Sequence, residues 1–171
     1  MRVVVMGVTG CGKSSVARGL ADALGAPYGD ADDLHSADAV AAMAAGVPLT
    51  DEDRWPWLAR VGMWLAERED AVMACSALKR SYREALRDSA GRDLVFVHLS
   101  APQHVLEGRV AARTRRGGHF AGTGLLASQF AILEPLAADE RGVVVDVTDA
   151  SVAQAVGQAL AYVRGAAGEG S

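Results

Sequence analysis

Apolar residues along this chain of 171 residues fall into two alternating patterns. Continuous runs rich in valine occupy 3–6, 71–75, 94–99 and 143–147. Between them, apolar positions recur at helical spacing over 14–24, 54–68, 79–88, 102–115, 125–133 and 152–164. A weaker strand signal lies at 27–29. Strands that are apolar throughout are buried on both faces, and strand–helix alternation buries them as a parallel sheet with helices on either side. The predicted fold is therefore α/β: three layers, with a five-stranded parallel sheet in the middle. In such sheets ligands gather at the carboxyl ends of the strands. Chemistry is expected in the loops 7–14, 30–35, 76–79, 100–103 and 148–151. Segment 113–124 is rich in Arg and Gly and poor in core residues, which predicts a lid. One domain over 1–165, followed by a small polar tail at 166–171, is the expected organisation.

Composition narrows the class. Half of the residues are apolar, enough for a full core at this length. A net charge of −4 and few aromatics argue against a nucleic-acid surface. No apolar run is long enough to cross a bilayer, and no secretory leader precedes the first strand, so a cytoplasmic protein with no membrane partner is expected. Cys11 and Cys75 are too few for a disulfide framework or a metal cluster and read as reduced thiols.

The first loop carries the strongest chemistry. Gly7-Val8-Thr9-Gly10-Cys11-Gly12-Lys13-Ser14 is a complete GxxxxGK[S/T] phosphate-binding loop, set between a strand and a helix. Its glycines let successive N–H groups turn inward onto a phosphate, and the helix starting there adds its positive end. Residues 7–15, through Ser15, are expected to hold ATP. Lys13 reaches the β and γ phosphates, and the Ser14 hydroxyl holds Mg²⁺. The acidic turn Asp30-Ala31-Asp32-Asp33-Leu34-His35 follows the second strand. A carboxylate there can order metal-bound water or accept a hydroxyl proton; a solvated acidic turn is the plain alternative.

Three further segments carry a family resemblance. Gly46-Val47-Pro48-Leu49-Thr50-Asp51-Glu52-Asp53-Arg54-Trp55-Pro56-Trp57-Leu58 resembles the GxPLxDxDRxPWL segment of gluconate kinases (gluconokinases). Cys75-Ser76-Ala77-Leu78-Lys79-Arg80-Ser81-Tyr82-Arg83 is similar to that family's CSALKxxYR, and His119-Phe120 with Leu125-Leu126 and Ser128-Gln129-Phe130 to its HF…LL.SQF. The resemblance implies the P-loop kinase fold shared with shikimate and nucleoside-monophosphate kinases. It implies transfer of the ATP γ-phosphate to the 6-hydroxyl of D-gluconate, and a homodimer.

Within that reading Asp32 is the candidate for orienting the acceptor hydroxyl. Arg54, Lys79 and Arg83 suit the substrate carboxylate, because Arg offers a planar fork and Lys a point charge. His35, His119 and Gln129 are further substrate candidates. Arg109 and Arg113 share a helix face approaching the lid. Arg109 is assigned to the nucleotide and Arg113 to charge neutralisation during transfer. Thr50 is expected to cap a helix, Asp51–Asp53 to be structural, and Pro56 to occupy a first helical position. His98 and His104 are read as structural. The loop Thr148-Asp149-Ala150 is where adenine lies by fold analogy. Ser36, Ala39 and Ala42 stand where the family carries proline, asparagine and lysine. A kinase for shikimate or another aldonate is thus the second reading. A GTPase-like module would carry an Asn-Lys-x-Asp motif, which the chain lacks.

Overall fold

The computed structural model describes residues 1–45, 47, 49–115 and 123–168. Five strands form one parallel sheet: β1 (Arg2–Met6), β2 (Tyr28–Asp30), β3 (Ala71–Ala74), β4 (Val95–Ser100) and β5 (Gly142–Asp146), in the order β2-β3-β1-β4-β5. The register sets Val4 beside Met73 on one side and Phe96 on the other. Seven helices are described: α1 (Lys13–Leu24), α2 (Ala37–Ala44), α3 (Asp51–Ala66), α4 (Arg80–Ala90), α5 (Gln103–Arg115), α6 (Thr123–Ile132) and α7 (Val152–Gly168). A short 3₁₀ turn spans Ala31–Leu34.

Strand period two divides the core. Val3 and Val5 face a cluster with Val97, Leu20, Leu106, Leu126 and Ala159, on the side of α1, α5, α6 and α7. Val4 and Met6 face a second cluster with Phe96, Leu58, Leu65 and Leu86, on the side of α3 and α4. Each fully buried side chain of this size contributes roughly 1.5–3 kcal/mol of transfer free energy. The sheet is thus clamped from both sides, and its carboxyl edge is left to loops.

Three expectations need correction. The sequence pattern predicts no helix at 37–44, yet α2 forms there: the Ser36 side chain accepts from the Ala39 N–H as an N-cap. α2 buries none of its residues, and with Asp38 as its single polar residue no apolar stripe stands out against a polar face. Pro56 is not at the first position of α3 but inside the helix. A capping box sets the start earlier: Thr50 Oγ1 accepts from the Asp53 N–H, and Asp53 accepts from the Thr50 N–H at 2.8 Å. Finally, α7 continues to Gly168, past the expected end of order at 165. Residues 169–171 of the expected tail, and most of the expected lid, lie outside the described residues.

Candidate active site

The phosphate loop joins β1 to α1. Gly7 has φ +142, and a Cβ there would lie 2.6 Å from the Leu99 carbonyl oxygen, so only glycine fits this turn. Gly12, with φ 93, is the N-cap of α1 and aims the next backbone N–H groups outward from the helix end. Lys13 Nζ donates to the Val8 carbonyl at 3.0 Å, folding the ammonium over the loop. The Thr9 N–H donates to Gln129 Oε1 at 2.6 Å, so α6 braces the loop.

Ser14 Oγ donates to Asp30 Oδ2 at 3.0 Å, and the Tyr28 hydroxyl donates to the same oxygen at 2.9 Å. Asp30 Oδ1 accepts from the Asp32 N–H at 3.2 Å. Asp30 therefore ties the phosphate loop to the acidic turn, a role the sequence reading gave to no single residue. The signal was its place as the last residue of β2, at the carboxyl edge of the sheet.

Asp32 keeps a solvent-exposed face. Burial raises its pKa above the usual carboxylate value, the neighbouring charge of Asp30 adds to that, and Lys13 opposes it. His35 moves the other way: burial lowers its pKa, and the charges of Arg60 and Arg54 reinforce that against Asp32. The imidazole stacks on Trp57 with centroids 4.6 Å apart and planes at 8°. Its Nδ1 is buried without a hydrogen-bond partner. Trp57 Nε1 donates to the Ala31 carbonyl at 2.6 Å, which holds the turn carrying Asp32.

A second cluster lies where α3 meets the loop before α4. Lys79 Nζ is 2.6 Å from Asp51 Oδ2, and the Tyr82 hydroxyl donates to Asp51 Oδ1. Arg54 donates to the Tyr82 oxygen at 3.2 Å and lies 3.6 Å from Asp51 Oδ1. Hydrogen bonds from Lys79 and Tyr82 hold the Asp51 carboxyl below its usual pKa, and the bond to Asp51 raises that of Lys79.

On the other flank Arg109 donates to the carbonyls of Val147 and Thr148 at 2.6 and 2.9 Å. It thereby closes one wall of an open cleft of about 210 Å³, lined also by Gly10, Gly12, Val16 and Ala150. This cleft sits beside the phosphate loop, where the base of a nucleotide was expected. Arg113, a turn further along α5, is exposed.

Comparisons with known proteins place this geometry. Residues 3–136 match the family described as AAA domain. The gluconokinase of Gluconobacter oxydans is 49% identical over 144 residues, covering 81% of this chain and 78% of that protein. The thermoresistant gluconokinase of Escherichia coli is 41% identical, covering 83% of this chain and 81% of its own. The crystal structure of a gluconokinase from Sinorhizobium meliloti superposes with a TM-score of 0.89 at 46% identity, covering 98% of this chain and 94% of that one.

The chain belongs to the gluconokinase family.

It is a P-loop kinase, transferring phosphate to an alcohol acceptor. Shikimate kinase from Acinetobacter baumannii, at 17% identity and TM-score 0.62, shares the fold. With the gluconokinase fold in view, the predicted site residues divide. The structure brings Lys13, Ser14, Asp32 and His35 to one edge of the sheet, and the charge of Arg54 reaches His35. His119 lies outside the described residues.

Arg83 departs from the expectation of substrate binding. It is fully buried. Its Nε and NH2 bond Glu140 at 2.7 Å each, and its NH1 donates to the carbonyls of Ala77, Leu78 and Glu134. No donor is left for a ligand. Arg83 instead anchors the loop after β3, in which Ala77 holds φ 40, a conformation rarely adopted by non-glycine residues. Gln129, another substrate candidate, is engaged with the phosphate loop. Cys75 is inert: burial pushes its thiol up to about 12.

Oxygen donors suit Mg²⁺, which proteins hold by one or two groups together with substrate phosphates. The Ser14 hydroxyl and the Asp30 carboxylate, in contact beside the phosphate loop, are that kind of set.

Proposed function

We propose that this protein phosphorylates D-gluconate at its 6-hydroxyl, using ATP and giving 6-phospho-D-gluconate and ADP. The observation that carries the reading is the run of contacts along the sheet edge: Ser14 of the phosphate loop bonds Asp30, Asp30 accepts from the Asp32 N–H, Trp57 of α3 bonds the Ala31 carbonyl of that turn and stacks on His35, and Arg54 and Lys79 gather on Asp51 at the start of the same helix. One end suits a triphosphate and the other a carboxylate, with a carboxyl group between them for the reacting hydroxyl. Kinship with gluconokinases supports the acceptor over shikimate.

Each residue then has a role. The loop N–H groups and Lys13 bind the β and γ phosphates. Asp32 orients the 6-hydroxyl for in-line attack and accepts its proton late; its raised pKa suits it to that task. His35, neutral because burial lowers its pKa, offers Nδ1 to a sugar hydroxyl. Arg54 and Lys79 hold the substrate carboxylate. Arg109 supports the nucleotide cleft, Arg113 neutralises charge during transfer, and His119 is kept as a substrate contact from the family resemblance. Ser14 and Asp30 are the residues to hold Mg²⁺, which when bound neutralises phosphate charge. Exclusion of water keeps ATP from hydrolysis. A cytoplasmic location, expected from the sequence, and a homodimer, implied by the family resemblance, complete the proposal.

The test is Asp32→Asn. Turnover should fall by about 10²-fold or more while ATP affinity stays within about twofold. An equal loss of both would assign Asp32 to the metal instead. Lys13→Ala should remove phosphoryl transfer with the fold intact, since a loop lysine carries little core energy; near-normal turnover would remove the loop from the mechanism.

A further inference from the structure

Asp51 is an anion placed where an anion should be least welcome. The proposed function assigns Arg54 and Lys79 to a carboxylate, yet both already face this one, at 3.6 and 2.6 Å. The helix start does not require it. Thr50 and Asp53 form the capping box of α3 between themselves, so the Asp51 side chain is spent on Lys79 and Tyr82. Nor is the cluster a dry structural pair. The side chains of Arg54, Lys79 and Asp51 are 25%, 26% and 41% exposed, so one face is open to an incoming ligand. Trp55, partly exposed, stands edge-on to Tyr82 beside it.

The charges count simply. Arg54 and Lys79 bring two positive charges and Asp51 one negative. Tyr82 stays neutral, because burial and its bond to Asp51 both disfavour the phenolate. Arg54, Lys79 and Asp51 together carry a net single positive charge. Each charge of a ligand placed there meets the two cations and Asp51 alike, so the repulsion of Asp51 takes about twice as much from a doubly charged acid, such as a sugar phosphonate, as from a singly charged one. Discrimination by a built-in like charge gives up some affinity for the favoured ligand and takes more from the rival.

We propose that Asp51 is a specificity-determining residue: its charge offsets one of the two cations at the acceptor carboxylate and so shifts selectivity toward singly charged sugar acids and away from doubly charged ones. The inference rests on the proposed function, since it takes Arg54 and Lys79 as the carboxylate subsite. It predicts a property that function alone does not, the dependence of selectivity on one carboxylate.

The test compares gluconate with its C1-phosphonate analogue, which is doubly charged at pH 8 and keeps the 6-hydroxyl. Dissociation constants are measured by calorimetry on the full chain, with thermal melts to establish folding. Asp51→Asn should shift the ratio of affinities toward the phosphonate by about tenfold, the effect of one nearby unit charge in a half-exposed setting. Asp51→Glu should leave the ratio within about twofold of the unsubstituted protein, because the charge is retained. Lys79→Met should move it about tenfold the other way. Because only ratios are compared, general loosening of the pocket cancels. A ratio unmoved in Asp51→Asn, or moved toward gluconate, overturns the proposal. If Asp51→Asn does not fold, Asp51→Ser is measured in its place, and an unmoved ratio there overturns the proposal equally. Should the unsubstituted protein neither bind nor turn over gluconate, the proposed function fails and takes this inference with it. Normal gluconate binding with an insensitive ratio sinks the inference alone.

Discussion

Lys79 and Arg83 flank the start of α4, four residues apart, in one stretch of sequence, and each is paired with a carboxylate. Their surroundings are opposite. The side chains of Arg83 and Glu140 are completely enclosed, and six acceptors surround the guanidinium: the carbonyls of Ala77, Leu78, Glu134 and Pro135, and both oxygens of Glu140. Lys79 and Asp51 are partly open to solvent, at the proposed acceptor subsite. A basic residue in a binding segment is thus no guide to its role until burial is known. The enclosed pair shapes the loop after β3; the open pair, at that loop's end, is the one proposed to meet a ligand.

That contrast breaks most visibly at Arg83. Replacing it with Met should cost about 3–5 kcal/mol, because Glu140 would remain buried with only the Ala137 N–H and a distant Arg87 for partners. Denaturant unfolding measures it. A loss below about 1 kcal/mol would show that the pair is not the framework described here.

The enclosed side also has a pH signature. His98 on β4 is 3% exposed, its Nδ1 has no hydrogen-bond partner, and burial, aided by the charge of Arg83, lowers its pKa to about 4. The unfolded chain takes up this proton near the ordinary value of 6.5, so it binds more protons than the folded protein between those limits. Stability from this group is complete above about pH 6.5, falls by up to about 1.4 kcal/mol per unit as pH drops, and levels off below about 4. His98→Val should flatten the stability profile over that window. An unchanged slope would mean that His98 is not held neutral by the core.

The smallest change in stability belongs to the open pair. Lys79→Met should leave the melting temperature within about 2 °C, since half-exposed ion pairs contribute little. It should nonetheless raise the gluconate KM about tenfold or more, with a smaller change in kcat. A large loss of stability with KM unchanged would reverse the assignment of the two pairs.

Much of this could be read from the chain, and the failures have physical reasons. The four strong strands were visible because parallel strands are buried on both faces and read as unbroken apolar runs. β2 has only three residues, none fully buried, so it gave little signal. α2 buries nothing, and with a single polar residue it shows no stripe against a polar face. At α3 the Thr50 cap is legible and marks the true start, whereas Pro56, read as a first helical position, lies inside the helix. Among site residues, the phosphate loop is a contiguous motif and was legible in full. Arg83 was not, because its partner Glu140 is 57 residues away. A signal existed: Arg83 shares a helix face with Leu86 and Ala90, both buried. The contacts of Asp30 with Ser14 and of Gln129 with Thr9 join distant segments and follow only from the folded sheet edge.

The central claim is that the phosphate loop faces a pocket for a singly charged polyhydroxy acid. A coupled assay of the purified chain with ATP, Mg²⁺ and a panel of gluconate, other aldonates and shikimate tests it most directly, with phosphorus NMR of the product. The account predicts the highest kcat/KM for gluconate and phosphate on its terminal hydroxyl. ATP consumption with another acid of the panel, and none above background with gluconate, would contradict it.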